Sequence, residues 1–284
     1  MTNDTLIAQL DNNPLMYREL LTIPQDVNFG LEIELEKVKR DLVYQLVKKN
    51  LGDRWYVKED KSLIEGYSAE IVSPVLQNQI HTWKLLKKLG ELLKHLSPSY
   101  NNCSFQINFD GSLLPSVEDK VRFIKLFAVY EDIIYRFSKG DDEFYRDSLD
   151  TYASPIILAL KDTLRYEDNE TIIDRFSNNK RYGIMFKTNN IDLIEFRTPN
   201  GTNNPILWQN YITTFYYLLK LASSTKYNKK EIDKYIDEFV GIYLLESYEK
   251  LRQDKAILFS DLLFENKTDK IYFLHQYMRL GKMR

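Results

Sequence analysis

Apolar and polar positions alternate at period two in several short stretches of the chain. Phe29, Leu31, Ile33 and Leu35 interleave with Gly30, Glu32, Glu34 and Glu36. That spacing predicts a strand with one apolar and one acidic face. Within 103–110, Phe105, Ile107 and Phe109 oppose Ser104, Gln106, Asn108 and Asp110 in the same way. Residues 55–60 and 67–72 read as two further strands, the second ended by Ser73-Pro74. Residues 181–187 and 191–197 form a hairpin across Thr188-Asn189-Asn190, with Leu193, Glu195 and Arg197 on one face of its second arm. Helical spacing runs through 37–50, with Gly52 as a C-terminal cap, and through 77–96, 116–138 and 150–177. After the Asn200-Gly201 turn the pattern is helical throughout: 204–223, 229–252 and 256–280. Residues 1–25 read as an irregular lead-in broken by Pro14 and Pro24. The expected class is α+β, with strands in the first two-thirds and a helical last third. There is no repeat or linker, so we expect one domain over 1–284.

Composition narrows the chemistry. At 284 residues and 44% hydrophobic content the chain can bury a sizeable core. Thirty-nine basic residues against 41 acidic ones argue against a broad nucleic-acid surface. The single cysteine, Cys103, forms no internal disulfide and no cysteine-rich zinc site, which suits a reducing compartment. The first residues lack the basic and apolar regions of a signal peptide, and no apolar run approaches ~20 residues. A cytoplasmic protein without nucleic-acid or membrane partners is the expectation. Phosphate loops of the GxxxxGK type, GxGxxG turns, GxSxG elbows and HExxH pairs are all absent. His81, His95 and His275 lie far apart in the chain. Any catalysis therefore falls to carboxylates, arginines and amides.

Those groups cluster on single strand faces: Glu32 with Glu34, Glu70, Gln106 with Asn108, and Glu195 with Arg197. Residues two apart on a strand point the same way about 6.5 Å apart. Should these strands share a sheet, the carboxylates converge and need a cation or a proton between them. Oxygen-only sets suit Mg²⁺ or Mn²⁺, and Arg197 adds a bidentate donor for phosphate. The competing reading is the wet face of an antiparallel sheet. Against it stand the purely acidic Glu32-x-Glu34 and the mid-strand Asn and Gln, which gain little in the open.

The motifs in order resemble a known family. Phe29-Gly30-Leu31-Glu32-Ile33-Glu34 resembles the opening "fGxExE" strand of the amidoligases, carboxylate–amine ligases related to glutamine synthetase and glutamate–cysteine ligase. Residues 55–62, Trp-Tyr-Val-Lys-Glu-Asp-Lys-Ser, resemble the family's "W-x-V-x-x-D-x-S" segment, and Glu70-Ile71-Val72-Ser73-Pro74 its "E-[IL]-V-S-P" block. Ile194-Glu195-Phe196-Arg197 with Asn200-Gly201-Thr202 resembles the closing "EFR…GT". The likeness covers 27–215 and leaves 216–284 as a helical extension. It departs at the middle strand. Gln106-Ile107-Asn108 stands where most amidoligases resemble "H-V-H", and is similar to the "Q-V-N-L-D" of plant-type glutamate–cysteine ligases.

The resemblance implies a glutamine-synthetase-like, curved, mostly antiparallel sheet with a concave polar face, helices on its outer face and a helical C-terminal third. It implies an ATP- and Mg²⁺-dependent ligase, with Mn²⁺ as a substitute metal. Such an enzyme joins small-molecule or peptide carboxylates to amines through an acyl phosphate. Glu32, Glu34, Glu70 and Glu195 would be metal ligands, with Glu34, Glu70 and Arg197 catalytic. Gln106, Asn108, Arg146, Tyr182 and Arg197 would bind the nucleotide. Asp60 and Ser62 would border the site, and Arg136, Lys180 and Arg181 are further candidates for acidic ligands. Trp208 reads as packing, and Lys84, Lys87, Lys88, Lys94 and the charged run 229–238 as solvated helix faces. Two rivals remain: a phosphotransferase on the same scaffold, and a catalytically inactive ligase-like module that binds peptide or protein.

Overall fold

The computed structural model describes residues 15–60, 62–63, 66–142, 145–157, 159–160, 168–189, 191–224, 248 and 250–278. Its centre is a seven-stranded antiparallel sheet: β1 Asn28–Glu36, β2 Tyr56–Lys58, β3 Ser68–Val72, β4 Leu76–Gln77, β5 Phe105–Asp110, β6 Ile184–Lys187 and β7 Leu193–Phe196. The order is β2-β3-β1-β5-β7-β6, with β4 paired to the start of β1. The helices with described bounds are α1 Arg40–Leu51, α2 Ile80–Leu96, α3 Val117–Ser138, α4 Leu149–Tyr152, α5 Asn169–Phe176, α6 Pro205–Ala222, α7 Gln253–Leu263 and α8 Lys267–Met278. This is the α+β class that the alternation predicts. None of these helices is long and apolar enough to cross a membrane.

The apolar face of each strand dictates where the helices lie. Phe29, Leu31, Ile33, Leu35, Phe105, Ile107, Phe109, Ile194 and Phe196 are all buried in one core. Phe196 stacks on Phe215 of α6, with ring centroids 4.1 Å apart, and Phe105 stacks on Trp208 of the same helix at 5.5 Å. Phe29 stacks on Trp83 of α2 at 5.7 Å. Burying each such ring contributes ~1.5–3 kcal/mol, which fixes the helices to this one face. Trp208 is thus packing, as read from the sequence. The C-terminal helices α7 and α8 pack in turn on α3 and α6.

Local signals set the helix ends. Ser116 and Asp119 form a reciprocal capping box at the start of α3. Asn204 caps α6 through Ile206 N, with Pro205 in the first turn. Gly52 ends α1 at φ 92°, a backbone angle that side chains disfavour.

Several expectations need correction. The span 150–177 is not one helix: α4 ends at Tyr152, residues 157 and 159–160 are helical again, and Asp168 caps a separate start of α5 at Asn169. The span 256–280 is two helices, because the chain breaks between Leu263 and Lys267 and Asn266 starts a new turn by accepting from Asp269 N. Strand β4, two residues long, carries no alternation to read. The expected helix 229–252, with the charged run 229–238, falls almost wholly outside the described residues, as do residues 1–14 of the lead-in and Asn190 of the hairpin turn.

Candidate functional site

With every apolar strand face turned to the helices, the polar residues of five strands fall on the opposite face. The pairing sorts them into rungs. Lys58, Glu70 and Glu34 lie across β2, β3 and β1. Val72, Glu32 and Gln106 lie across β3, β1 and β5. Gly30, Asn108 and Glu195 lie across β1, β5 and β7. Glu32, Glu34, Glu70, Gln106, Glu195, Arg197 and Arg146 line one cavity of about 670 Å³, joined by Asp60, Ser62 and Lys180. The order β3-β1-β5-β7 is therefore what gathers residues that sit far apart in the chain.

The arrangement is a charge network rather than a row of independent groups. Arg197 donates through Nη1 to Gln106 Oε1 at 2.9 Å and to Glu195 Oε1, and through Nε to the Tyr152 carbonyl at 3.0 Å. Gln106 Nε2 donates to Glu34 Oε1 at 2.7 Å and to Ser104 Oγ at 2.9 Å. Glu34 Oε2 accepts from Ser104 N at 2.6 Å. Glu34 is thus hydrogen-bonded at both oxygens, and it holds the amide that holds Arg197. Asn108 Nδ2 donates to Glu32 Oε1 at 3.0 Å.

Two lysines complete the network, and sequence reading missed both. Lys187, the last residue of β6, donates to Glu32 Oε1 at 2.8 Å and contacts Glu195 Oε2. Lys58 lies 3.0 Å from Glu70 Oε1. Each comes from an edge strand and leans toward the sheet centre. The only local hint was their place on the same strand face as the site, since their partners depend on strand order.

Burial and pairing split the carboxylates. Burial opposes charge on Glu32, but Lys187, a hydrogen bond shared with Glu70 and the Asn108 amide outweigh it and hold its pKa below the usual range. Glu70 moves the other way, raised by burial and by Glu32, with Lys58 opposing. The pair is thus driven apart in acidity, Glu32 toward the charged form and Glu70 toward the neutral one. Glu34 is raised chiefly by burial. Arg146 is fully enclosed: Nη1 donates to the Thr198 and Pro199 carbonyls at 3.1 and 2.9 Å, and Nη2 to the Arg197 carbonyl at 2.7 Å. Burial lowers its pKa to about 10. No carboxylate forms an ion pair with it among the described residues. Arg146 therefore fastens the chain just beyond β7, and with it Arg197.

Not every expected residue reaches the site. Tyr182 is outside the lining and packs edge-on against Phe176, 5.0 Å between centroids, because its turn is pinned by the helix beneath it. Arg136 points away from the sheet: it donates to the Tyr277 carbonyl at 3.2 Å and covers that ring. Arg181 is exposed and outside the lining, whereas its neighbour Lys180 is in it. Asp60 and Ser62 close a local turn, Ser62 N and Oγ both donating to Asp60 Oδ1 at 2.7 Å, and both border the cavity.

The donor set suits a hard cation in kind. It is oxygen-only, and Glu70 Oε1, Glu195 Oε2 and Asn108 Oδ1 are buried without a hydrogen bond. The first two are met only by lysine ion contacts. Among the described residues no three His, Cys, Asp or Glu side chains stand together as a ready metal centre. Lys58 and Lys187 supply positive charge to these carboxylates. No family model matches the chain, and no curated protein matches it.

Proposed function

We propose that this face is the active site of an ATP- and Mg²⁺-dependent carboxylate–amine ligase on a glutamine-synthetase-like scaffold. The observation that carries the reading is the convergence of Glu32, Glu34, Glu70, Gln106, Glu195 and Arg197, from four strands, on one cavity. A solvated sheet face would not need buried carboxylates, a buried amide and two buried guanidiniums.

Each residue then has a role. Glu32 and Glu195 would hold Mg²⁺, which supplies charge neutralisation to the triphosphate. Arg197, fixed by Gln106, Glu195 and Tyr152, would stabilise the charge of the transferred phosphoryl group. The substrate carboxylate attacks the γ-phosphorus, ADP leaves, and an acyl phosphate results. The amine nitrogen then attacks the acyl carbon and inorganic phosphate leaves. Glu70, which lines the cavity, would as its carboxylate accept the proton that the attacking amine gives up. Glu34 keeps Gln106 oriented, and Arg146 keeps the β7 end in place.

One observation favours a second reading. Lys58 and Lys187 already neutralise the carboxylates, as they would in an inactive scaffold that binds a peptide or protein. Calorimetric titration of ATP with and without Mg²⁺, on the wild type and on Glu195→Gln, separates the two. The ligase reading expects Mg²⁺-dependent binding that weakens several-fold or more in the variant. ADP release should then depend on both a carboxylate and an amine; release without the amine indicates a phosphotransferase. Absence of binding at millimolar ATP defeats the reading and leaves the recognition module.

A further inference from the structure

We propose that Lys187 is the resident occupant of a divalent-cation subsite made by Glu32, Glu195 and Asn108, and that a divalent cation enters by exchange with its ammonium. The inference rests on the reading of Glu32 and Glu195 as cation ligands, and goes beyond it by naming the residue that controls entry.

Three observations bear on it, two from residues that line the cavity and one from Asn108, which lies beside them outside the lining. Glu195 is wholly buried, and among the described residues its Oε2 has no hydrogen-bond partner and an ion contact with Lys187. Glu32 gives the same ammonium its Oε1. Asn108 lies directly across from Glu195 in the ladder, bonds Glu32 through Nδ2, and keeps its Oδ1 buried without a donor. A lysine serving only to neutralise two carboxylates accounts for the first two oxygens and leaves the third unexplained. Buried acceptors are normally satisfied. An ammonium offers three donors, and among the described residues Lys187 bonds or pairs with the two carboxylates. A divalent cation, which takes six or more oxygens, has use for all three and for added water.

The lysine is also built to leave. It ends an edge strand and its side chain is 26% exposed, while the glutamate it neutralises is fixed in place by Arg197. Withdrawal leaves Glu32 and the Oε2 of Glu195 without the ammonium, Glu195 keeping Arg197 on its other oxygen, and an incoming cation restores the lost charge. The freed ammonium then needs an anion, and a polyphosphate arriving with the cation provides one. Entry of cation and polyphosphate is thereby linked.

The test uses Mn²⁺ alone, followed by calorimetry and by the resonance signal of the free ion. Lys187→Met should bind Mn²⁺ on the order of tenfold or more tighter than the wild type, since it removes a like charge from the subsite. Lys187→Arg should bind as weakly as the wild type, and Glu195→Gln added to Lys187→Met should abolish the gain. Inorganic tripolyphosphate should raise Mn²⁺ affinity in the wild type and lose most of that effect in Lys187→Met. Unchanged Mn²⁺ affinity in a folded Lys187→Met, including no binding by either protein, overturns the proposal. The outcomes separate it from the ligase reading. ATP–Mg²⁺ binding without the Mn²⁺ contrast defeats only the exchange. The Mn²⁺ contrast without any ATP binding leaves the subsite standing and defeats the ligase.

Discussion

Replacing Glu195 by Gln removes the anion that stands between two cations. Glu195 is fully buried, Arg197 is 7% exposed and Lys187 26% exposed. Deleting one partner of a buried ion pair destabilises a protein by ~3–5 kcal/mol, because the remaining charge stays desolvated. Here each cation keeps some support: Lys187 retains Glu32, and Arg197 retains Gln106 and the Tyr152 carbonyl. The expected loss is therefore at the lower end, about 3 kcal/mol. At ~2–4 °C per kcal/mol for a chain near this size, Tm should fall by roughly 6–12 °C. Lys187→Met alone should be milder, about 1 kcal/mol, since Glu195 keeps Arg197 and one desolvated ammonium disappears. The double variant should be more stable than the sum of the two losses, with a coupling of ~1–3 kcal/mol. Urea denaturation of the four proteins measures it. A coupling below ~0.5 kcal/mol would refute the reasoning, since the three charges would then not act as a unit.

Further outcomes follow from other residues. Glu131 is buried against Tyr248, Ile156 and Ile157, and burial, only partly offset by those donors, pushes its pKa up from about 4.5 to about 8. The folded chain thus holds a proton that the unfolded chain releases, so Glu131 favours the fold fully below about pH 4.5 and progressively less as pH rises to about 8. Glu131→Gln should flatten that part of the stability-against-pH curve; an unchanged slope would show that Glu131 is ionised in the fold. Gly183→Ala would place a Cβ 2.5 Å from Tyr135 Oη and 2.8 Å from Thr198 Cγ2, both buried, beside the bond from Arg197 N to the Gly183 carbonyl. A loss of ~1–3 kcal/mol is expected by denaturation, with weakened ATP binding if Arg197 shifts. Gly30→Ala meets nothing closer than 3.8 Å, so the melting temperature should stay within a degree or two. Cys103 is fully buried, and burial with Glu34 and Glu36 nearby raises its thiol pKa. A thiol reagent should find no reactive group in the native protein and one after denaturation.

Much of the site's membership was legible because a strand's side-chain period is two whatever its surroundings. The alternation through 28–36 and 105–110 separates a core face from a polar face, and the buried apolar set matches it residue by residue. Which polar residues meet was a different matter. Glu32 touches Lys187 only because β1, β5, β7 and β6 are neighbours in that order, and no local spacing encodes strand order. The same holds for Lys58, which reaches Glu70 through the β2–β3 pairing. Tyr182 was misplaced for a related reason: an aromatic ring beside a polar strand has equal local claim to the core and to the cavity, and its contact with Phe176 decided between them. The helix break just after Tyr152 was hidden because apolar spacing continued through it. The sequence by itself determined the α+β class, the acidic and amide faces and the candidate glutamates, since these follow from periodicity and residue type. Tertiary structure alone decided the register that turns those faces into one charge network, because strand adjacency is chosen by long-range burial of Phe29, Phe105 and Phe196 against α2 and α6.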